Sequence, residues 1–395
     1  MQYKRVYLNP HKEESLKRFH PWIFSGAIRN IDGVPKEGEV VEVYDSQNHF
    51  LALGHCQIGS ITIRVLSFQQ EEINKEFWKK RIEAAYQLRR HLGLTDNPNN
   101  NVYRLIHGEG DDLSGLIVDI YANTAVVQAH SPGMHVARHE LIEALKEVLG
   151  NAIENIYYKS EGTLPYKAEL DVEDGYLYGG SHIPIFVLEN GLKFHIDWVK
   201  GQKTGFFVDQ RDNRALLEKY ASGRRVLNMF CYTGGFSVYA MRGNAELVHS
   251  VDSSAKAIDL TNENINLNFP DNKRHNAFTE DAFKYLKDTG ERYDLVILDP
   301  PAFAKHRKVL KNALQGYRKL NTAAFEKIQK GGIVFTFSCS QAVSKEDFRL
   351  SVFSAAAQAG RNVKILHQLT QQADHPINIY HTEGEYIKGL VLYVD

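Results

Sequence analysis

The sequence contains few cysteines and no long hydrophobic run. Cys56, Cys231 and Cys339 are far apart in the 395-residue chain and form no C-x-x-C pair, which argues against a zinc site or a disulfide framework. The 17 histidines are scattered, so no metal site is predicted. No apolar segment approaches the ~18 residues of a membrane span, and the polar N-terminus does not resemble a signal peptide. We therefore expect a cytoplasmic protein with reduced thiols that does not bind membranes.

The chain also lacks an excess of charge of either sign. Its formal net charge is −1, and 43% hydrophobic with 24% charged residues is typical of a globular protein. This balance gives no bulk signal for nucleic-acid binding, so any RNA site must be a local patch. A length of 395 residues predicts more than one domain.

The hydrophobic pattern divides the chain into three predicted domains. Residues 1–72 alternate short apolar runs with turn residues, as in a β-barrel. Residues 73–183 begin with a linking helix over 74–92 and continue as a small central α+β domain. Residues 184–395 alternate strands with helices and close on two strands that pair as a hairpin. This last pattern predicts an α/β fold, with a doubly wound and mostly parallel sheet that has an antiparallel final strand.

Basic and aromatic residues lie together near the N-terminus. The segment from Lys12 to His20 carries three basic side chains and directly precedes Trp22 and Phe24. Cationic groups beside aromatic rings can hold a phosphate while a base stacks on a ring. The alternative is that Trp22 and Phe24 belong to the core and the basic side chains are simply solvated.

The third domain is organised around the segment RVLNMFCYTGGFS at 225–237. An apolar strand breaks there at Thr233-Gly234-Gly235, where glycine allows a sharp bend and a close approach to a ligand. The following helix N-terminus presents free N–H groups at the carboxyl end of the strand, where open α/β sheets bind ligands. The segment is not G-x-G-x-x-G, which disfavours a nicotinamide dinucleotide. A purely structural turn remains the alternative.

Two acidic residues follow the next two predicted strands. Asp252, with Ser253 after it, is placed to accept hydrogen bonds from ribose hydroxyls. Asp281 could hold an adenine edge. Aspartate and serine are also common helix N-caps, so capping is an alternative role for each of them.

Asp299-Pro300-Pro301-Ala302-Phe303, called the Asp-Pro-Pro loop below, follows a further buried strand. Two prolines stiffen the loop and leave a carboxylate at its base. A ligand with adenosine and no pyrophosphate, S-adenosylmethionine, fits this combination better than a dinucleotide does.

Cys339 follows the next predicted strand, within TFSCS. A thiolate that adds to carbon 6 of a pyrimidine makes carbon 5 electron-rich enough to accept a methyl group, so Cys339 is a candidate nucleophile. The alternative is a small buried hydrophobic residue. For Cys231 we expect a role in lining the cofactor site, and for Cys56 a place in the core.

Several motifs together resemble the RlmI family of bacterial methyltransferases, which act on cytosine C5 of large-subunit (23S) ribosomal RNA. The motifs span nearly the whole chain and comprise HPWIFSGAI, YRLIHGEGDDLSGLIVDIY, GQKTGFFVDQRDNR, NMFCYTGGFS, VDSS, LDPPAFAK, TFSCS and ADHP. The resemblance implies a class I methyltransferase domain with a Rossmann-like sheet, preceded by an RNA-binding PUA-like β-barrel and a small central domain. It also implies S-adenosylmethionine as cofactor and 23S ribosomal RNA as partner.

The resemblance further implies which residues shape the site. The cofactor and catalytic pocket would be shaped by Lys203, Thr204, Phe207, Asp209, Arg211, Phe230, Tyr232 and Gly234. Our mechanistic hypothesis places Asp299 against the target base at N3 and N4 and also counts it among the cofactor-binding residues. Substrate contacts are predicted for Pro300, Pro301, Phe303, Lys203 and His375. His375 is also a candidate base for the C5 proton, although a structural histidine in an Asp-His-Pro turn is the alternative.

The sequence therefore predicts cytosine-C5 methylation of ribosomal RNA through a Cys339 adduct at carbon 6. One alternative is methylation of a base nitrogen, because the Asp-Pro-Pro loop also resembles that of amino-group methyltransferases. A second alternative is a non-catalytic RNA-binding or ribosome-assembly protein. The sequence does not fix the oligomeric state, for which a homodimer is one option.

Overall fold

The computed structural model describes residues 3–165, 168–180, 184, 186–304 and 306–395. The chain forms two compact units. Unit 1 consists of Met1–Leu188, Ile196–Val208 and Ala373–Gly384, and unit 2 consists of Glu189–His195, Asp209–Gln372 and Glu385–Asp395. Residue 183, at one predicted domain boundary, lies outside the described residues. None of the described helices combines the length and the apolar character needed to span a membrane.

The first part of unit 1 is a six-stranded sheet in the order β2-β6-β5-β4-β1-β3. Its elements are β1 (Lys4–Leu8), α1 (Glu14–Lys17), β2 (Trp22–Phe24), β3 (Ile28–Ile31), β4 (Val40–Tyr44), β5 (Phe50–Cys56) and β6 (Ile61–Ser67). All neighbouring strands are antiparallel except β1 and β4. Because side chains alternate along a strand, β2 buries Ile23 and leaves Phe24 46% exposed. The alternative that Phe24 belongs to the core is therefore wrong.

The second part of unit 1 is a five-stranded sheet in the order β11-β10-β9-β8-β7. Its elements are α2 (Lys75–His91), β7 (Val102–His107), β8 (Leu116–Tyr121), β9 (Thr124–Ala129), α3 (Pro132–Val136), α4 (Arg138–Leu149), β10 (Asn155–Tyr158) and β11 (Gly175–Tyr178). The helix α2 begins where the side chain of Asn74 accepts hydrogen bonds from the N–H groups of Glu76 and Phe77. Trp78, Ile82 and other apolar residues of α2 pack into one core with α4 and the sheet.

Residues 373–384 also belong to unit 1, where hydrogen bonds to Asp374 connect them to α2 and β7. Arg89 of α2 binds both carboxylate oxygens of Asp111 and donates a further hydrogen bond of 2.7 Å to the carbonyl of Asp374. The side chains of Arg89 and Asp111 are 0% and 2% exposed. The Asp374 carboxylate accepts from the N–H of Arg104 at 3.1 Å.

Unit 2 is built on a seven-stranded sheet in the order β16-β15-β14-β17-β18-β20-β19. Its strands are β14 (Arg225–Met229), β15 (Leu247–Asp252), β16 (His275–Thr279), β17 (Tyr293–Leu298), β18 (Ile328–Ser338), β19 (Val363–Leu369) and β20 (Lys388–Val394). Its helices are α5 (Arg211–Tyr220), α6 (Gly235–Arg242), α7 (Ala255–Asn268), α8 (Ala282–Asp288), α9 (Leu310–Lys327) and α10 (Lys345–Gln358). A short hairpin of β12 (Val187–Glu189) and β13 (Leu192–Phe194) precedes them.

The strand directions of the large sheet confirm the predicted doubly wound arrangement. Neighbours from β16 to β18 are parallel, and β20 runs antiparallel to both β18 and β19. The predicted final hairpin is β19 with β20. Since β14, β15, β17 and β18 follow one another across the sheet, their carboxyl ends meet at one edge, and this edge carries the predicted site.

Candidate functional site at the carboxyl edge of the large sheet

Strand register aligns the residues that follow the central strands. Met229 at the end of β14 is the cross-strand partner of both Val251 on β15 and Leu298 on β17. Leu298 in turn pairs with Thr336 on β18. The residues just beyond these positions include Phe230, Asp252, Asp299 and Cys339, so four predicted site positions share one edge of the sheet.

The turn after β14 is held in an uncommon backbone conformation. Phe230 and Tyr232 have φ values of 58° and 47°, and Gly234 has φ 76°. Non-glycine residues with positive φ carry strain that the surrounding structure must hold in place, and such residues cluster at ligand sites. Asp252 contributes to that support, because its Oδ2 accepts the N–H of Tyr232 at 3.0 Å. The turn and the end of β15 thus form one rigid corner.

Some of the acidic and hydroxyl residues at this edge cap helices, and others do not. Ser254, rather than Asp252 or Ser253, caps α7, because its Oγ accepts the N–H of Ala257. Asp252 is half-buried, and its Oδ1 accepts the N–H of Ser254 at 2.9 Å. Asp281 caps α8 by accepting the N–H of Lys284 at 2.9 Å, as its alternative role predicted. Ribose and adenine binding by Asp252, Ser253 and Asp281 stay predictions.

Asp299 lies in a polar cluster that includes a second carboxylate. Its Oδ2 accepts a hydrogen bond of 3.1 Å from the side-chain amide of Gln210, a buried residue directly before α5. Burial, reinforced by the negative charge of Asp209, raises the pKa of Asp299 to about 7. A carboxyl group whose pKa is raised this far above its ordinary value can act as a proton donor near neutral pH.

Asp209 and Arg211 flank Gln210. The Oδ2 of Asp209 accepts the phenol of Tyr386 at 2.7 Å, whereas its Oδ1 is buried and has no hydrogen-bond partner among the described residues. Arg211 is buried at the start of α5. An acceptor atom buried without a partner is costly in a folded protein, which makes Asp209 a candidate for contact with a ligand donor.

Cys339 lies against the Asp-Pro-Pro loop. Its Sγ is 3.9 Å from the carbonyl oxygen of Pro300, a distance compatible with a weak S–H donor, and the residue is half-buried. Burial and the charges of Asp299 and Asp209 raise the pKa of the thiol to about 12, while Lys388 opposes that rise. The predicted neighbourhood of the thiol and the loop is confirmed, and the predicted nucleophilic role is not tested by it.

The rest of the Asp-Pro-Pro loop is partly packed against its neighbours. Pro300 is buried and Pro301 is exposed. The ring of Phe303 packs on Tyr317 of α9 with a centroid separation of 4.6 Å. Substrate contact by Pro300, Pro301 and Phe303 stays a prediction.

Three residues expected at the pocket belong to unit 1. Thr204 is buried, and its hydroxyl bonds to Asp119 at 2.6 Å and to Tyr121 at 2.9 Å. Lys203 is exposed and has φ 53°, and Phe207 is half-buried. Cofactor binding by Thr204 and Phe207 and substrate binding by Lys203 stay predictions.

His375 belongs to unit 1, whereas Cys339 belongs to unit 2. The Nδ1 of His375 lies 2.8 Å from the carboxylate of Asp374, and the His375 ring is 4.9 Å from that of His107. The Nε2 is buried and has no hydrogen-bond partner among the described residues. This is the Asp-His-Pro structural arrangement given above as the alternative, and the general-base role stays a prediction.

The basic and aromatic N-terminal segment lies beside an acidic residue. The indole N–H of half-buried Trp22 donates to Glu109 at 2.8 Å, and Arg64 lies over the indole ring while pairing with the same carboxylate. The acidic turn at 108–111 is a single 3₁₀ turn, in which Glu109 and Asp111 are engaged by arginines. RNA binding by this segment stays a prediction.

Sequence reasoning missed two groups of polar residues. Gln210, Tyr386 and Lys388 surround the carboxylates and the thiol, but their partners come from other elements, and no local motif marks them. The ligand atoms of His20, His381 and Glu383 lie within 4.8 Å of one another in unit 1, although His20 is far in the chain from the other two. The described residues give that trio no further support as a metal site, and we assign none.

The other two cysteines are buried. The Sγ of Cys231 lies 3.6 Å from the hydroxyl of Thr261, and burial raises the pKa of this thiol to about 12. Cys56 packs in the core of the six-stranded sheet, as predicted. Cys339 is thus more exposed than either.

Comparisons with known proteins extend over nearly the whole chain. The sequence profile of the S-adenosylmethionine-dependent methyltransferase family matches residues 161–378, and that of a PUA-like domain matches residues 6–68. A ribosomal RNA large subunit methyltransferase I from Tolumonas auensis is 42% identical over 394 residues, 98% of each chain. A protein of the same name from Erwinia tasmaniensis is 40% identical over 396 residues, 99% of each chain.

Solved structures share the fold at lower identity. SMU.776, described as a methyltransferase and solved in complex with SAH, has a TM-score of 0.85 at 24% identity and covers 99% of this chain and 100% of its own. A protein from Streptococcus mutans described as a SAM-dependent methyltransferase has a TM-score of 0.84 at 23% identity, with the same coverage. On the strength of the full-length relatives and the family profiles, the chain belongs to the ribosomal RNA large subunit methyltransferase I family, S-adenosylmethionine-dependent methyltransferases with a class I fold and a PUA-like N-terminal domain.

Proposed function

We propose that this protein methylates carbon 5 of a cytosine in large-subunit ribosomal RNA, with Cys339 as the nucleophile. The relatives' names support the RNA class. The observation that carries the cytosine-C5 assignment is the position of Cys339, a half-buried thiol at the carboxyl end of β18, 3.9 Å from the Pro300 carbonyl and next along the sheet from Asp299. A methyltransferase acting on a base nitrogen has no need of a thiol at that place.

The residues at the sheet edge fit the family's cofactor. The strained turn at 230–234 and the carboxylate of Asp252 would hold the adenosine of the cofactor. The unpartnered Oδ1 of Asp209 would accept a hydrogen bond from the ammonium group of the cofactor's methionine part. When bound, S-adenosylmethionine supplies the electrophilic methyl group that carbon 5 accepts. The remaining chemistry falls to side chains of this protein.

In the proposed mechanism, Cys339 acts on carbon 6 of the pyrimidine ring and Asp299 acts on N3. The target cytosine is extruded from its stack, and the Cys339 thiol, after losing its proton to solvent, forms a bond from its sulfur to carbon 6. The displaced π electrons reach carbon 5 and N3, and Asp299 in its protonated form gives its proton to N3. After methylation, removal of the C5 proton forms the C5–C6 double bond as the S–C6 bond breaks, and N3 returns its proton to Asp299, which restores the ring. His375 is the proposed proton acceptor.

Replacement of Cys339 tests this assignment. We expect Cys339→Ala to abolish methyl transfer from labelled cofactor to 23S ribosomal RNA and to leave cofactor affinity in calorimetry largely unchanged. Cys56→Ala is the matched control, because it removes a thiol from the core of unit 1 and should retain turnover per folded molecule. Undiminished turnover by Cys339→Ala would refute the covalent mechanism.

Analysis of the methylated nucleoside separates the remaining alternatives. The Asp-Pro-Pro loop also favours, as a second candidate, methylation of a base nitrogen, which would yield an N-methylated adenine or guanine in place of 5-methylcytosine. A non-catalytic RNA-binding or assembly protein would yield no methylated nucleoside and no heat of cofactor binding.

The organisation of the protein adds three further proposals. The domain at 1–72 is proposed to bind RNA, and the domain at 184–395 is proposed to catalyse methyl transfer. The domain at 73–183 is proposed to connect the two. We also propose action in the cytoplasm, where ribosomal RNA would be met, and a homodimer as the assembly, for which sedimentation is the direct measurement.

A further inference from the structure

We propose that Lys388 is a positioning residue for Cys339, supplying the positive charge that sets the ionisation of the nucleophilic thiol. This inference rests on the proposed function. Lys388 begins β20, where it is the cross-strand partner of Ser338, the residue before Cys339. Its side chain is buried, and its Nζ donates to the carbonyl of Ser340, the residue after Cys339, at 2.6 Å. Lys388 thus reaches the backbone on both sides of the cysteine.

The buried ammonium group of Lys388 lacks an anionic partner. Its second hydrogen bond goes to the carbonyl of Tyr386 at 2.8 Å, so both of its acceptors are neutral. Throughout the described chain, no carboxylate lies within ion-pair distance of Lys388, and neighbouring Glu385 pairs with Lys345 of α10. A buried cation without a counter-anion is costly, and a lysine has three protons to donate. A thiolate at Cys339 would supply the missing anion.

The other charges around Cys339 oppose its ionisation. Asp299 from the end of β17 and Asp209 from the segment before α5 both raise the pKa of the thiol, and Lys388 lowers it. Burial depresses the pKa of Lys388 itself to about 8, while Cys339 and Glu385 act to raise it and Lys345 to lower it. Lys388 is therefore mostly charged at pH 7 and loses that charge within an accessible pH range.

The ionisation can be followed without substrate RNA by alkylating the thiol with iodoacetamide. The Cys339 proton leaves to the buffer, the sulfur forms a bond to the reagent's carbon, and iodide departs. Peptide mapping reports Cys339 separately from buried Cys56 and Cys231. In the wild type, the rate should rise about tenfold per pH unit and flatten above about pH 8, where Lys388 discharges.

Three substitutions make the test specific. Lys388→Gln keeps a donor for the two carbonyls and removes the charge, so alkylation at pH 7 should slow about tenfold, with no flattening near pH 8. Lys388→Arg keeps the charge and should retain at least the wild-type rate, again without flattening. Lys364→Gln, an exposed lysine on neighbouring β19, should leave the wild-type profile unchanged. Thermal unfolding of each variant reports whether it is folded.

Each result decides the proposal. A wild-type rate in Lys388→Gln, or a wild-type profile that rises evenly through pH 8, would overturn it, and the second readout needs no variant to fold. If Cys339→Ala abolishes methyl transfer while Lys388→Gln alkylates normally, the role of Lys388 fails and the proposed function stands. If Cys339→Ala remains active, the covalent function fails whatever the alkylation profile.

Discussion

At the scale of single residues, Asp299 links catalysis to stability. Its carboxyl group would have a pKa near 3.8 when unperturbed and has one of about 7 in the folded protein. Between these values the folded protein binds more protons than the unfolded chain, so Asp299 lowers the free energy of unfolding as pH rises through this range. The raised pKa that makes Asp299 a proton donor near pH 7 thus lowers the free energy of unfolding at neutral and higher pH.

Asp299→Asn should remove this pH dependence. We expect the variant to gain roughly 1 to 3 kcal/mol relative to the wild type between pH 4.5 and pH 8, while methyl transfer is lost. Urea unfolding at both pH values measures the effect. Asp281→Asn, in which asparagine can still cap α8, should show little change at either pH. Equal wild-type and Asp299→Asn profiles would show that Asp299 is not perturbed.

The residues predicted from sequence were those that follow a strand. In a parallel sheet such positions meet at one edge, so Asp252, Asp299 and Cys339 could be grouped without any contact being known. The positions of Gln210 and Lys388 could not be predicted, because each acts through a hydrogen bond to a distant element. The hydrogen-bond partners of Thr204 could not be predicted either, since its hydroxyl is bonded to side chains of β8.

At the scale of elements, the turn between β14 and α6 depends on Gly234. The residue has a positive φ, and a Cβ there would lie 2.7 Å from the Cγ2 of Thr261 on α7. We expect Gly234→Ala to lower the free energy of unfolding by about 2 to 4 kcal/mol, since backbone strain and overpacking add. Cofactor affinity in calorimetry should fall as well.

Gly223 provides the matched control for that substitution. It has φ +68°, and a Cβ added there would meet no atom within 4 Å, so Gly223→Ala introduces the backbone strain alone. We expect a loss of about 1 kcal/mol with cofactor affinity unchanged. Similar losses of stability in both variants would mean that the contact with Thr261 is unimportant.

The sequence pattern predicted the strands and their pairing better than it predicted which side chains are buried. The alternating strands and the terminal hairpin were predicted correctly because apolar runs and turn residues are local signals. The spacing of Trp78, Ile82 and Leu88 predicts one apolar face on α2, and this is only partly right, since Leu88 is 38% exposed whereas Trp78 and Ile82 are buried. Which part of a face is covered depends on the length of the neighbouring element, and the sequence of the helix does not contain that.

At the scale of the whole molecule, Arg89 joins early and late parts of unit 1, because it pairs with Asp111 and also donates to the carbonyl of Asp374. We expect Arg89→Met to lower the free energy of unfolding by about 3 to 5 kcal/mol, because Asp111 would remain buried without a partner. Arg81→Met, which removes a more exposed pair with Asp112 from the same helix, should cost about 1 kcal/mol or less.

A double substitution checks the cause. Arg89→Met combined with Asp111→Leu removes both charges, so urea unfolding should show recovery of a large part of the loss. Additive losses in the double variant would mean that shape, rather than the unpaired carboxylate, determines the cost.

The path of the chain between the two units has a consequence for synthesis. The chain passes from one unit to the other after residues 188, 195, 208, 372 and 384, so each unit includes residues from near the C-terminus. Arg89 must wait for a partner 285 residues later, which at typical translation rates is roughly 15 to 60 s. Neither unit can therefore complete its core until residues 373–395 have been synthesised, although most of each unit is made long before them.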